Sequence, residues 1–276
     1  MSQSLKQYIQ RKYTVEQVLD YMECPLCYHL KHEKKIPLKE DFLADNKNIA
    51  YQEAMFETMR YFYIEHQKKK PPTYKNLCDR FYRSWLEKTD SLDTMSILTR
   101  KLKNATRDAR EEQSRYIKEG YKGLENFYSY NSSGKQAVLA VNHPYTIRLK
   151  SIEIEGKFHL VREIYNPQSK LREIQLIVFH LGKQLHTEET LKTDLNLLSM
   201  GLGFKEIFGV HPDRFILYYP SKGESVEISH KMSDYKKAIH IFNAFRLSVE
   251  NIPRYPRPGA HKTISPYKKY CDNYEF

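Results

Sequence analysis

The spacing of apolar residues along this chain changes sharply near Lys135. Before that point, apolar side chains recur every three or four positions, as they do on one face of a helix. After it, apolar and polar residues alternate, which is the pattern of strands that bury one face. We therefore expect an α/β (α+β) fold, with a helical region over 1–134, a mixed central sheet flanked by helices over 135–250, and a tail over 251–276.

Polar and turn-forming residues predict where several of these elements begin and end. Thr14 and Gln17 can form a capping box at the start of a helix, and Pro25 should interrupt or restart that helix. The alternating segment predicts about four strands, and the turn residues at 166–169 join the last two as an antiparallel hairpin. One helix is expected over 188–208, before two further strands and a final helix.

Composition and charge narrow the class of partner. The 22 tyrosines and 13 phenylalanines exclude a disordered chain, because so many rings offer extensive burial. Lys and Arg number 45 against 34 Asp and Glu, and the net charge of +11 favours an acidic partner such as DNA. Basic residues interleaved with tyrosines suit phosphate contact and base stacking, although such runs are more simply solvated surface. The candidate nucleic-acid-binding residues are Lys68, Lys69, Lys70, Arg254, Arg257, Lys262, Lys268 and Lys269.

Nothing in the sequence predicts a membrane partner. Its apolar runs fall well short of the roughly 20 residues that cross a bilayer. The first residues lack the apolar stretch and cleavage site of a secretory signal, and four scattered cysteines do not suggest a secreted disulfide framework. We expect a cytoplasmic protein.

Three segments carry a family resemblance. They are DYMECPLCYHLKHEKKIP at 20–37, VLAVNHPYTIRLKSIEIEGKFHLV at 138–161, and YPRPGAHKTISPYKKYC at 255–271. Their order resembles that of the RecB-like branch of the PD-(D/E)XK nuclease superfamily. The resemblance covers nearly the whole chain and implies a restriction-endonuclease-like core.

The resemblance also implies that the catalytic site is degenerate. The family holds Mg²⁺ or Mn²⁺ on carboxylates beside a lysine. In this chain the matching positions carry Asn142, His159, Phe179 and Leu181. Because Mg²⁺ needs hard oxygen ligands, we expect neither the ion nor catalysis on this alignment.

Some members of the branch hold an iron–sulfur cluster on four cysteines. Cys24 and Cys271 match two of those positions, but Lys262 and Ser265 occupy the others, so we expect neither a cluster nor another cofactor. A zinc site on Cys24 and Cys27 with His29 and His32 is an alternative suggested by the Cys-x-x-Cys spacing. Buried structural thiols are the favoured interpretation.

A different, shifted strand register would give a catalytically active site instead. Glu155, Glu173 and Gln175 would then be its metal-site residues, since alternate residues of a strand share a face. The simpler interpretation is that these are solvated strand residues. His159 and His180 are further candidates as general bases, against a structural role beside phenylalanines.

The sequence therefore favours a catalytically degenerate nuclease-like protein, without enzymatic activity, that contacts DNA or serves as an assembly subunit. The resemblance implies an origin in a phage or mobile element, in a virion, packaging, recombination or replication complex. One alternative is an active metal-dependent DNA nuclease that uses the shifted register. The other is an unrelated protein-interaction scaffold.

Overall fold

The computed structural model describes residues 11–37, 46–99, 105–132, 136–166, 168, 170–182, 184–250, 267 and 271. The helices are α1 (Val15–Glu23), α2 (Pro25–Tyr28), α3 (Asn46–Gln67), α4 (Tyr74–Thr99), α5 (Ala105–Ser132), α6 (Glu188–Lys192), α7 (Leu195–Phe208) and α8 (Met232–Glu250), with a π-helical segment (His29–Glu33) after α2. The strands are β1 (Arg11–Thr14), β2 (Gln136–Leu149), β3 (Ile152–Asn166), β4 (Leu171–Phe179), β5 (Arg214–Tyr219) and β6 (Glu224–Ile228).

Strand β3 organises the single mixed sheet. Strand β2 pairs antiparallel along one edge of β3. The other edge is shared, because β1 pairs parallel with its first residues, Ile152 to Glu155, and β4 pairs antiparallel with its last residues, Leu160 to Asn166. Strand β5 then adds parallel to β4, and β6 adds antiparallel to β5.

Helices cover both faces of this sheet. On one face α1, α7 and α8 bury residues such as Val18, Phe204 and Phe242. On the other, α3, α4 and α5 bury an aromatic-rich layer that includes Phe62, Trp85 and Phe127. The expected mixed sheet flanked by helices, with helices dominating the N-terminal part, is confirmed.

Local capping explains several boundaries. Thr14 Oγ1 accepts a hydrogen bond from the Gln17 backbone N–H, and the Gln17 side chain accepts one from the Thr14 N–H, so the predicted capping box is present. Helix α1 ends before Cys24, and α2 restarts at Pro25 as expected. The single helix predicted over 188–208 is wrong, because Asp194 caps the N-terminus of α7 and divides the segment.

Two other expectations about strands need correction. The alternating segment forms three strands rather than about four, because β2 and β3 each continue through positions where the apolar pattern breaks. In β2 the chain passes Asn142, whose φ is 49°, and Pro144 without leaving the sheet. The region over 1–134 also contributes a strand, β1, which joins the sheet from the N-terminal side of α1.

None of the helices that the structure describes is both long enough and apolar enough to cross a bilayer.

Candidate functional site

Two of the residues expected at the degenerate catalytic positions, His159 and Phe179, lie in one aromatic cluster on the face of the sheet covered by α3. His159 of β3 packs edge-on against Phe56 of α3, with ring centroids 5.4 Å apart, and stacks on Phe179 of β4 at 6.2 Å. Its Nδ1 accepts a hydrogen bond from the Phe179 backbone N–H at 3.3 Å. Burial lowers the pKa of His159 from 6.5 to about 4, so the ring is neutral at pH 7 and a weak base.

Asn142 and Leu181 occupy the other two expected positions. Asn142 lies between Val141, which pairs with Leu160, and His143, which pairs with Phe158, so it stands across from His159. Asn142 is exposed, whereas Leu181 is partly buried against the aromatic layer under α3. These positions therefore present one exposed amide, an imidazole and apolar side chains, and none of them carries a carboxylate of the kind that holds Mg²⁺.

A buried arginine beside this cluster was not anticipated from the sequence. Arg162 donates hydrogen bonds to Gln175 Oε1 at 2.9 Å, Gln136 Oε1 at 2.7 Å and the Tyr130 hydroxyl at 3.0 Å, and its guanidinium lies over the Tyr130 ring. Gln175 is only 4% exposed, so the side chain proposed as a metal ligand instead accepts from this guanidinium. The signal in the sequence was an arginine that directly follows the apolar pair Leu160 and Val161 within a predicted strand.

The residues of the shifted register do not meet. Glu155 lies at the β1 end of β3, where Lys12 Nζ approaches its carboxylate to 2.6 Å. Glu173 pairs across the sheet with Ile164, nine positions further along β3, which corresponds to about 30 Å at roughly 3.3 Å per residue. Arg214 Nε contacts the Glu173 carboxylate at 3.1 Å. Each carboxylate therefore has its own cation, and the two cannot coordinate one ion.

The described part of the basic candidates lies at the end of α3. Lys68, Lys69 and Lys70 are exposed there, and Lys68 Nζ is 2.6 Å from a Glu65 carboxylate oxygen. Gln67 donates to the Val138 carbonyl at 3.2 Å, which holds this end of α3 beside the beginning of β2. The remaining candidates lie outside the described residues: Arg254, Arg257, Lys262, Lys268 and Lys269.

Three cysteines from opposite ends of the chain meet at a separate place. The Sγ atoms of Cys24, Cys27 and Cys271 all lie within 4.8 Å of one another, and all three residues are buried. The nearby histidines do not join them. His29 Nδ1 is 2.7 Å from a Glu33 oxygen, and His32 Nε2 is 2.6 Å from an Asp20 oxygen. The Cys-x-x-Cys spacing of Cys24 and Cys27 was visible in the sequence. The sequence did not predict that Cys271 lies close to Cys27.

No protein-family model matches this chain, and a search of the curated proteins found no significant match.

Proposed function

We propose that this protein is a catalytically inactive relative of the RecB-like nucleases that contacts DNA as a subunit of a larger assembly. The observation that carries the proposal is the state of the expected catalytic positions. A partly buried, neutral His159 and an apolar Phe179 occupy adjacent strands where the family would place carboxylates. A site of this composition has no carboxylate to hold the Mg²⁺ or Mn²⁺ through which the family activates water.

Two features support DNA contact: the net charge of the molecule and one exposed segment. The net charge of +11 attracts a polyanion over a distance. Lys68, Lys69 and Lys70 stand side by side at the exposed end of α3, where lysine side chains can reach successive phosphates. Such contacts position a protein on DNA without reading its sequence.

The family resemblance supports an origin in a phage or mobile element. The protein would then act in the host cytoplasm or in a virion, bound to DNA and to partner subunits. Retaining the fold while losing catalysis is consistent with a role in which shape and surface charge matter more than chemistry.

The proposal is tested by measuring DNA binding and DNA cleavage on the same preparation. Labelled single- and double-stranded DNA is titrated across a salt series, and cleavage is assayed with Mg²⁺ or Mn²⁺. We expect salt-sensitive binding without cutting. Metal-dependent cutting that is lost in Glu155→Ala or Glu173→Ala would establish the shifted-register nuclease and overturn the proposal.

A triple substitution of Lys68, Lys69 and Lys70 by alanine tests the segment itself. If all three bind phosphates, the slope of log affinity against log salt should decrease in magnitude by about 2–3. The control is the triple alanine variant of the exposed residues Lys222, Lys231 and Lys236, which removes the same charge elsewhere. Equal effects of the two triples would assign binding to net charge alone. Absence of binding by the unmodified protein would refute DNA contact and leave protein assembly.

A further inference from the structure

The three buried thiols form a set with the chemistry of a soft-metal site. Cys24 lies between α1 and α2, Cys27 lies in α2, and Cys271 comes from the C-terminal tail. Their surroundings are apolar and include Leu26, Leu30 and Tyr267. Thiolate ligands select ions such as Zn²⁺ over hard ions such as Mg²⁺.

The spacing of the sulfur atoms fits a shared tetrahedral ion. Two thiolates bound at about 2.3 Å to one tetrahedral Zn²⁺ are separated by about 3.8 Å. The Sγ atoms of Cys24 and Cys271 are 3.7 Å apart. A disulfide would require a separation of about 2.05 Å. All three sulfur pairs lie within 4.8 Å, so small side-chain rotations suffice to bring the third thiol to the same spacing.

Backbone contacts hold the site in shape from both sides. The Cys27 N–H donates to Cys24 Sγ at 3.2 Å, which fixes the position of that sulfur at the start of α2. On the tail, the Cys271 N–H donates to the Tyr267 carbonyl at 2.8 Å. The Tyr267 hydroxyl donates to the Ile36 carbonyl at 3.1 Å, which anchors the tail beside the π-helical segment.

We propose that Cys24, Cys27 and Cys271 bind one Zn²⁺ ion that links the C-terminal tail to the start of the chain. Each thiol releases its proton to solvent as it binds, and no oxidation is involved. A three-thiolate set leaves one position of the tetrahedron for a further donor. This site differs from the four-cysteine iron–sulfur arrangement, since Cys27 is outside that set and the positions of Lys262 and Ser265 carry no thiol.

The test uses the full chain, reduced and freed of metal, with Co²⁺ as a spectroscopic substitute for Zn²⁺. We expect one Co²⁺ per chain, a thiolate-to-cobalt charge-transfer band, and displacement of Co²⁺ by Zn²⁺. Cys24→Ser, Cys27→Ser and Cys271→Ser should each weaken binding by more than about 100-fold, because even changes outside the ligand shell cost roughly 10–100-fold. The matched control is Cys78→Ser, since Cys78 lies in α4 and is the remaining cysteine.

Several results would overturn the site. They are the absence of a charge-transfer band in the folded unmodified protein, full binding by Cys27→Ser, and equal loss in Cys78→Ser. Purified protein that contains iron with inorganic sulfide would establish a cluster instead of a single ion. A Cys24–Cys271 disulfide that persists on reduction with excess thiol would also refute metal binding. Circular dichroism of each metal-free variant separates loss of ligands from loss of fold. Binding of DNA does not enter any of these readouts, so the two proposals can fail independently.

Discussion

Replacing His159 by a residue that does not titrate should make the free energy of unfolding less dependent on pH below pH 7. The pKa of His159 is lowered from 6.5 to about 4 by burial, so the unfolded chain binds this proton more readily than the folded one. The neutral His159 therefore makes its full contribution to the free energy of unfolding above about pH 6.5, and this contribution is lost as the pH falls towards 4. Linkage gives a loss of about 2 kcal/mol at pH 5 relative to pH 7, and about 3 kcal/mol below pH 4.

The measurement is urea-induced unfolding of the unmodified protein and of His159→Phe at pH 7 and pH 5. Phenylalanine keeps an aromatic ring beside Phe56 and Phe179 and removes the titrating group, although it gives up the acceptor for the Phe179 N–H. Between pH 7 and pH 5, the free energy of unfolding should fall by about 2 kcal/mol less in the variant than in the unmodified protein. Leu139→Ala, at an exposed position of β2 that carries no titratable group, should leave the pH difference unchanged. If the free energy of unfolding falls equally with pH in His159→Phe and in the unmodified protein, the lowered pKa of His159 is refuted.

Two further substitutions test packing on the opposite faces of the sheet. Gly203→Ala in α7 would place a Cβ 2.2 Å from Tyr145 Cδ2, and overpacking should lower the free energy of unfolding by about 1–3 kcal/mol in urea titrations. The control Lys236→Ala, at an exposed position of α8, should change the free energy of unfolding by less than about 0.5 kcal/mol. If Gly203→Ala leaves the free energy of unfolding unchanged, Tyr145 moves freely. Tyr63→Phe removes the hydroxyl that donates to Asn131 Oδ1 at 2.7 Å, so we expect a loss of about 1–2 kcal/mol by the same method. No loss in Tyr63→Phe would mean that this buried hydrogen bond contributes nothing net.

Local signals in the sequence predicted local structure well. The capping box at Thr14 and the restart at Pro25 depend on neighbouring residues only, and both are present. The division of the segment over 188–208 was missed, although Asp194 is a good N-cap, because the apolar residues on either side continue a helical pattern. Strand β1 was missed for a different reason. Its four residues are mostly exposed, and its pairing with β3 is a contact between distant parts of the chain.

The same distinction applies to the candidate sites. The alignment of motifs grouped His159 with Phe179, and the two do lie together, because each position was fixed within a strand. The shifted register grouped Glu155 with Glu173 by type of residue, but periodicity gives the face of a strand and not the position of its neighbour. The meeting of Cys27 with Cys271 depends on how the tail returns to the start of the chain, which no local pattern encodes.

The shared edge of β3 has a consequence for how copies of this protein behave towards one another. Strand β1 pairs with Ile152 to Glu155, and β4 pairs with Leu160 to Asn166 on the same edge. If β1 separates, the N–H and C=O groups of that segment are open to any extended peptide, including the same segment of another molecule. The four residues of β1 thus block edge-to-edge association at this segment, and trimming the chain through Thr14 should increase self-association of the protein.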